Sequence, residues 1–126
     1  MSYIQGFVIP VPTANKDAYL ALASKAAPVF VEYGALRVVE TWGDAVPEGD
    51  VTDFWSAVQA TGDEAIVFSW IEWPDRETYV AAEAKIMADP RMAPDGPMPF
   101  DGKRMIYAGF APLLDTMVVQ APAEEA

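Results

Sequence analysis

The order of predicted elements along the chain, strand-helix-strand-strand-helix-strand, predicts an α+β fold in a single domain. Three observations support this prediction. Four short segments are rich in β-branched and aromatic residues, and two longer segments between them repeat apolar residues at helical spacing. The chain has 126 residues, of which 52% are hydrophobic, enough for one packed core. We expect residues 1–119 to form that domain and the acidic tail 120–126 to be frayed.

The first half of the chain begins with a strand at residues 3–11 (YIQGFVIPV), which ends among prolines. A helix follows, which Thr13 or Asn15 could cap, and Gly34 ends it. Pro28 lies inside this helix and removes one backbone hydrogen bond, so we expect a kink or two pieces. Residues 36–42 (LRVVETW) predict the second strand.

The second half begins with a short helix, capped by Asp53 and carrying aromatic residues. Residues 65–73 (AIVFSWIEW) predict the third strand. Asp75 caps the next helix, which we expect to end near Ala88 because Asp89 and a proline follow. Residues 104–110 (RMIYAGF) then predict the fourth strand.

This order of elements is the ferredoxin-like β-α-β-β-α-β arrangement. It predicts a four-stranded antiparallel sheet with strand order 4-1-3-2 and both helices on one face. The other face of such a sheet normally meets water, so its side chains should be polar. These strands are instead apolar on both faces; Phe68 and Trp70 alternate with Val67 and Ile71, for example. Something must therefore cover the second face.

A second copy of the chain is the simplest cover for this face. Without a cover, about six large side chains would each forgo roughly 1.5–3 kcal/mol of the stabilisation that burial provides. That loss rivals the entire stability of a typical domain, roughly 5–15 kcal/mol. We therefore predict a homodimer with its sheets face to face. The alternative is that residues 44–62 of the same chain cover the face.

Composition excludes several classes of function. The chain has no histidine and no cysteine, so the common zinc sites and the Ser-His-Asp and Cys-His systems are excluded. A formal charge of −11 disfavours nucleic acid and anionic membranes as partners. The start of the chain has neither a basic signal sequence nor an apolar run long enough to span a membrane, and we expect a cytoplasmic protein. No segment indicates a cofactor.

Matching segments that span nearly the whole chain carry a family resemblance: GFVIPVP (6–12), GALRVVETWGD (34–44), VFSWIEWP (67–74) and MPFDGKRMIYAGF (98–110). The chain resembles the uncharacterised bacterial family typified by the YbaA proteins, within the dimeric α/β-barrel superfamily. The resemblance implies the fold and dimerisation but no reaction. Tyr33 stands where family members often carry histidine, so a reaction that needs that histidine is not available to this chain.

Polar residues inside apolar strands are the best candidates for chemistry, because a buried charge needs a partner or a purpose. Glu40 and Arg37 lie in the second predicted strand, Glu72 in the third and Arg104 in the fourth. Glu72 could act as a general acid or base while Arg37 or Arg104 holds an anionic oxygen. The alternative is that these residues form ion pairs within the sheet, pair across the dimer interface or lie in water.

Aromatic residues could line a pocket for a flat ligand, and Trp42, Trp70 and Tyr107 are the candidates. Aromatic residues in strands also serve commonly as core. Three aspartates, Asp44, Asp50 and Asp53, lie close together in the sequence but lack the spacing of a calcium loop, so we predict no metal site. Three functions stay open: binding a small aromatic or anionic molecule between helices and sheet, a cofactor-free oxygenase or isomerase, and a pure association module.

Overall fold

A four-stranded antiparallel sheet forms the centre of the molecule. The computed structural model describes residues 2–116, so the predicted tail at 120–126 lies outside the described residues. The spatial order of the strands is β2-β3-β1-β4, which confirms the predicted order. The strands are β1 (Tyr3–Pro12), β2 (Arg37–Trp42), β3 (Glu64–Trp73) and β4 (Ile106–Phe110).

The first helix, α1, spans Lys16–Glu32 and follows a 3₁₀ turn. The prediction that Thr13 or Asn15 caps α1 is wrong. Thr13 lies in the 3₁₀ turn and its hydroxyl donates to the carbonyl of Asp63 at 3.2 Å. The side chain of Asn15 makes no capping bond and donates to the carbonyl of Pro99 at 2.9 Å. The helix continues through Pro28 as one piece. It ends where Gly34 adopts a φ of 111°, which favours glycine.

Two further helices follow, and both begin at a capping aspartate, as predicted. Asp53 accepts a hydrogen bond from the backbone N–H of Ser56 at 2.6 Å, at the start of the short helix α2 (Phe54–Ala57). Asp75 accepts from the N–H of Thr78 at 2.7 Å, at the start of α3 (Arg76–Ala88). Each aspartate satisfies an N–H group that has no partner inside the helix. Within residues 2–116, none of the helices has the length and apolar character needed to cross a bilayer.

Both long helices contribute to the core on one face of the sheet, the helix face. Residues Ile9 and Val11 of β1 and Val67 of β3 are buried there with Tyr19 of α1. A second part of the core lies beside α3, where Ile71 and Trp73 pack with Ala35, Ala82 and Ile86. The period of two along each strand places these side chains on the same side.

The opposite face, the open face, is only partly covered. At one end the segment 44–62 contributes Phe54, whose ring lies 6.2 Å from that of Phe68, and Ile66 is buried. Beyond this contact the face is open, and Phe68, Ile106 and Phe110 are 45%, 46% and 57% exposed. An apolar trough of about 690 Å³ runs between these side chains. Residues 44–62 therefore do not cover the whole face.

Candidate functional site

A cavity of about 230 Å³, the α1 cavity, lies between α1, the helix face of the sheet and the segment 91–105. Its walls are mostly apolar: Phe7 and Ile9 come from β1, Phe30 from α1, and Met98 and Phe100 from the segment that follows α3. Such apolar walls with a few polar groups are typical of sites for small molecules.

The polar groups of the α1 cavity form one cluster. The hydroxyl of Tyr19 donates a hydrogen bond to Oε1 of Glu40 at 2.6 Å. Tyr19 is buried on α1, whereas Glu40 belongs to the edge strand β2 and is exposed along that edge. Ser69, on the neighbouring strand, lines the same cavity. Sheet register places it beside Glu40, because the two residues are direct partners across β2 and β3.

The surroundings shift the proton affinities of this cluster. Burial, followed by the contacts with Glu40, raises the pKa of Tyr19 well above its usual range. Enclosure of its carboxyl group raises the pKa of Glu40, although hydrogen bonds from Tyr19 and Ser69 oppose the shift. A carboxyl group with a raised pKa keeps its proton to a higher pH than an ordinary glutamate does. The cluster can therefore hydrogen-bond the polar end of an otherwise apolar molecule.

The segment after α3 closes over the α1 cavity and is tied to α1. Nζ of Lys25 lies 3.0 Å from the Oδ2 atom of Asp95 and also donates to the carbonyl of Ala93 at 3.4 Å. The guanidinium of Arg91 contacts the carboxylates of Glu32 and Asp89. Both cations that line the cavity thus have acidic partners.

Glu72 and Arg37, two of the predicted catalytic residues, lie together on the open face. Their charged groups are 3.5 Å apart, and Nε1 of Trp70 donates to Oε2 of Glu72 at 3.1 Å. This pair is on the opposite side of the sheet from Glu40. A catalytic role for Glu72 stays a prediction.

Arg104, the third predicted catalytic residue, is not part of either group. It contacts both carboxylate oxygens of Glu64 at 2.7 Å, Asp101 at 3.0 Å and the carbonyl of Gln59 at 2.9 Å. Bonds from Arg104 are the main reason that the pKa of Glu64 falls to about 2. Arg104 therefore joins the segment before β4 to the start of β3.

The three predicted ligand-lining residues lie in different places. The ring of Trp42 packs in the core beneath Lys16, whose Nζ is 5.2 Å from the ring centre. Trp70 lines the trough on the open face. Tyr107 stacks on Phe7, with 6.1 Å between ring centres, and lines a second cavity on the helix face. None of the three lines the α1 cavity.

The sequence prediction omitted Tyr19 and Ser69 from the site and assigned Glu40 no particular role. One signal could have revealed Glu40. It lies midway between Val38 and Trp42 in β2, and the period of two along a strand places all three on the same, core-facing side. Tyr19 carried no such signal, because an aromatic residue in an apolar helical stripe is ordinarily core.

Comparison with known proteins assigns the chain to a family. Residues 2–102 match the model of a family described as "Protein of unknown function (DUF1428)". The chain belongs to the DUF1428 family. It is 57% identical over 116 residues to the uncharacterised protein YbaA of Escherichia coli K12, covering 91% of this chain and 99% of that protein. The YbaA protein of Shigella flexneri matches to the same extent. The predicted relation to the YbaA proteins is confirmed.

A solved structure also resembles this DUF1428 protein. It is the crystal structure of a dimeric ferredoxin-like protein from an uncultured marine organism, with a TM-score of 0.58 and 12% sequence identity. The match covers 91% of this chain and 98% of the marine protein. At this low identity the likeness concerns the fold, and it confirms the predicted ferredoxin-like class.

Proposed function

We propose that this DUF1428 protein binds a small, largely apolar molecule in the α1 cavity, through one hydrogen-bonding group on the molecule. The observation that carries the proposal is the contact of Tyr19 with Glu40 at 2.6 Å, at the margin of a cavity with mostly apolar walls. Polar groups that converge on a mostly apolar cavity can orient a ligand, and residues with shifted pKa values are typical of such sites.

The cavity favours a neutral aromatic ligand over an anionic one. Lys25 and Arg91 line the cavity, but acidic partners already hold both of them. The chain has a formal charge of −11, which disfavours an incoming anion. A phenol or an aryl ketone could bind with its ring among Phe7 and Phe30 and its oxygen at Glu40.

Calorimetry and thermal unfolding with phenols, aryl ketones and benzoates test this proposal. At about one hundred times its Kd, a ligand stabilises the fold by about 2.7 kcal/mol. Glu40→Gln should weaken binding of neutral phenols, while Glu77→Gln, the same change at an exposed site on α3, should leave it intact. If no compound in the panel binds, or if Glu40→Gln binds phenols as well as the wild type, the proposal is wrong.

A second candidate function is cofactor-free oxygenase or isomerase chemistry by Glu72 with Arg37, one of the two arginines that the sequence prediction named. The 3.5 Å contact between them, beside the indole N–H of Trp70, supports it. Glu72→Gln in the same ligand panel separates the two candidates, because Glu72 lies on the other side of the sheet from the α1 cavity. Loss of ligand binding in Glu72→Gln but not in Glu40→Gln would favour the second candidate.

We also propose that the protein is a cytoplasmic homodimer that joins through the open face. Apart from Arg37 and Glu72, which pair with each other at one edge, and Glu64, which is buried and pairs with Arg104, the strand residues of this face are uncharged. Two copies of a chain with a charge of −11 repel each other, so an uncharged face is where they can meet. A symmetric dimer needs one surface that fits itself, and this face is such a surface. The marine protein that shares this fold is dimeric. The absence of cysteine agrees with a cytoplasmic location.

Sedimentation equilibrium tests the dimer. Phe110 is 57% exposed on the open face, and Leu20 is 61% exposed on α1. Phe110→Lys should dissociate the dimer because it places two cations at the interface, whereas Leu20→Lys should not. A wild-type protein that stays folded and monomeric at micromolar concentration would contradict the proposal.

A further inference from the structure

The helix face carries a second cavity of about 240 Å³, the α3 cavity, beside the α1 cavity. It lies between α3 and the strands, where Trp73 and Ile86 form part of its wall. Three residues, Phe7, Phe30 and Met105, line both cavities. The two spaces are therefore neighbours that share a wall.

The shared wall consists of apolar side chains from three separate elements. Phe7 belongs to β1 and Phe30 to α1, while Met105 lies directly before β4. All three are partly buried. Methionine is unbranched with three rotatable bonds, so it can change rotamer where an aromatic ring cannot easily move. Met105 is thus the part of the wall that can open.

The backbone around Met105 is held firmly, so that opening requires only its side chain. Arg104 precedes it and is fixed by two 2.7 Å contacts with Glu64. Ile106 follows it and pairs with Val8 in the sheet. Movement at Met105 therefore does not disturb the strands.

The α3 cavity suits an apolar group. Its buried polar side chains already satisfy each other, since Nε1 of Trp73 donates to Oε1 of Gln5 at 3.2 Å. The remaining wall includes the rings of Tyr79 and Tyr107, the thioether of Met87 and one charged residue, Glu83, which is exposed to water. Met87 is 80% exposed, so the far end of this cavity meets water.

Each cavity alone is smaller than a typical ligand pocket, which begins at about 300 Å³, but the two together exceed that size. Resting on the proposed function, we propose that they form one elongated site with Met105 as a movable partition. The ligand class is then a molecule with a phenol-like or alcohol head at Glu40 and Tyr19 and a medium-length alkyl tail that passes Met105. The tail ends beneath α3.

A series of 4-alkylphenols from methyl to octyl tests the elongated site by calorimetry. Each added methylene that becomes buried should increase affinity about fourfold. In the wild type this gain should continue beyond butyl, as the tail enters the α3 cavity. In Met105→Trp, whose side chain also lines the α1 cavity, affinity should no longer rise with tail length when it is compared with the methylphenol affinity of the same variant. Met105→Leu, which is close in volume, should keep the gain.

The outcomes separate this inference from the proposed function. If short phenols bind at Glu40 but affinity stops rising at ethyl or propyl in the wild type, the elongated site is wrong and the α1 site stands. The same holds if Met105→Trp binds octylphenol as tightly as the wild type. If no phenol of any length binds, the proposed function fails, and the elongated site fails with it. Binding of methylphenol by Met105→Trp shows that this variant is folded.

Discussion

Replacing Arg104 with methionine should destabilise the protein, because Arg104 is the main partner of an almost fully buried carboxylate. The side chain of Glu64 is only 4% exposed, and Arg104 contacts both of its oxygens at 2.7 Å. In Arg104→Met, Glu64 keeps one hydrogen bond, from the backbone N–H of Thr61 at 2.8 Å. A buried charge without its partner is strongly unfavourable.

The magnitude follows from the proton affinity of Glu64. Its pKa falls from 4.5 to about 2 in the folded protein, chiefly because of bonds from Arg104. At about 1.36 kcal/mol for each tenfold change in proton affinity, this corresponds to about 3 kcal/mol at neutral pH. Water reaches 23% of the Arg104 side chain and screens the interaction. We therefore expect Arg104→Met to lose about 2 kcal/mol of unfolding free energy.

The effect should depend on pH in a defined direction. Because folding lowers the pKa of Glu64, its contribution is present above pH 4.5 and is lost as the pH falls toward about 2. Urea unfolding at fixed protein concentration, followed by tryptophan fluorescence, measures the difference between wild type and Arg104→Met. That difference should shrink between neutral pH and pH about 3.

A double-mutant cycle with Glu64→Gln isolates the interaction between the two side chains. The double variant should be less destabilised than the sum of the two single variants. A loss below about 0.5 kcal/mol in Arg104→Met at neutral pH would refute the reasoning, since this is the size of effect at an ordinary surface site. Loss of ligand binding in a variant of unchanged stability would instead restore Arg104 as a functional residue.

Three further predictions concern single positions. Gly34→Ala should lower the unfolding free energy by about 2 kcal/mol, because φ is 111° there and the added Cβ would lie 2.7 Å from Cγ2 of Thr78; equal urea midpoints would contradict this. Asp75→Ala should lower the unfolding free energy by about 1 kcal/mol because it removes the cap of α3, and thermal unfolding measures the loss. Asp75→Asn should retain most of that free energy, because asparagine can also cap a helix. Enclosure raises the pKa of Glu40. The wild type should therefore lose unfolding free energy relative to Glu40→Gln as the pH rises above the pKa of an ordinary glutamate. If the difference in unfolding free energy between the two proteins did not change between pH 5 and about 8, the carboxyl group of Glu40 would not be enclosed.

The elements of the fold were predictable because their signals are local. Asp53 and Asp75 stand directly before helical patterns, and both cap helices in the structure. Asn15 has the same capping chemistry, yet its side chain bonds to Pro99, far away in sequence. Sequence shows which residues can cap a helix, but a distant competitor decides whether they do. Tertiary contacts override a local preference when they offer a comparable hydrogen bond.

The candidate site was largely hidden from the sequence, because its contacts join residues far apart in the chain. Tyr19 meets Glu40 only where α1 crosses the edge strand. Arg104 and Glu64 show the same limit: both were visible as charged residues, but nothing local indicates that they pair. Such pairing depends on strand register and on where a loop returns to the sheet.

The amino-acid sequence by itself determined the order of strands and helices and the apolar character of both sheet faces. Those properties follow from periodicity and side-chain type over a few residues. Only the tertiary structure decided that a cavity lies beside Glu40 and that Tyr19 of α1 reaches it there. The physical reason is that a polar group takes its proton affinity and its partners from the atoms packed around it, and packing brings together residues that sequence keeps apart.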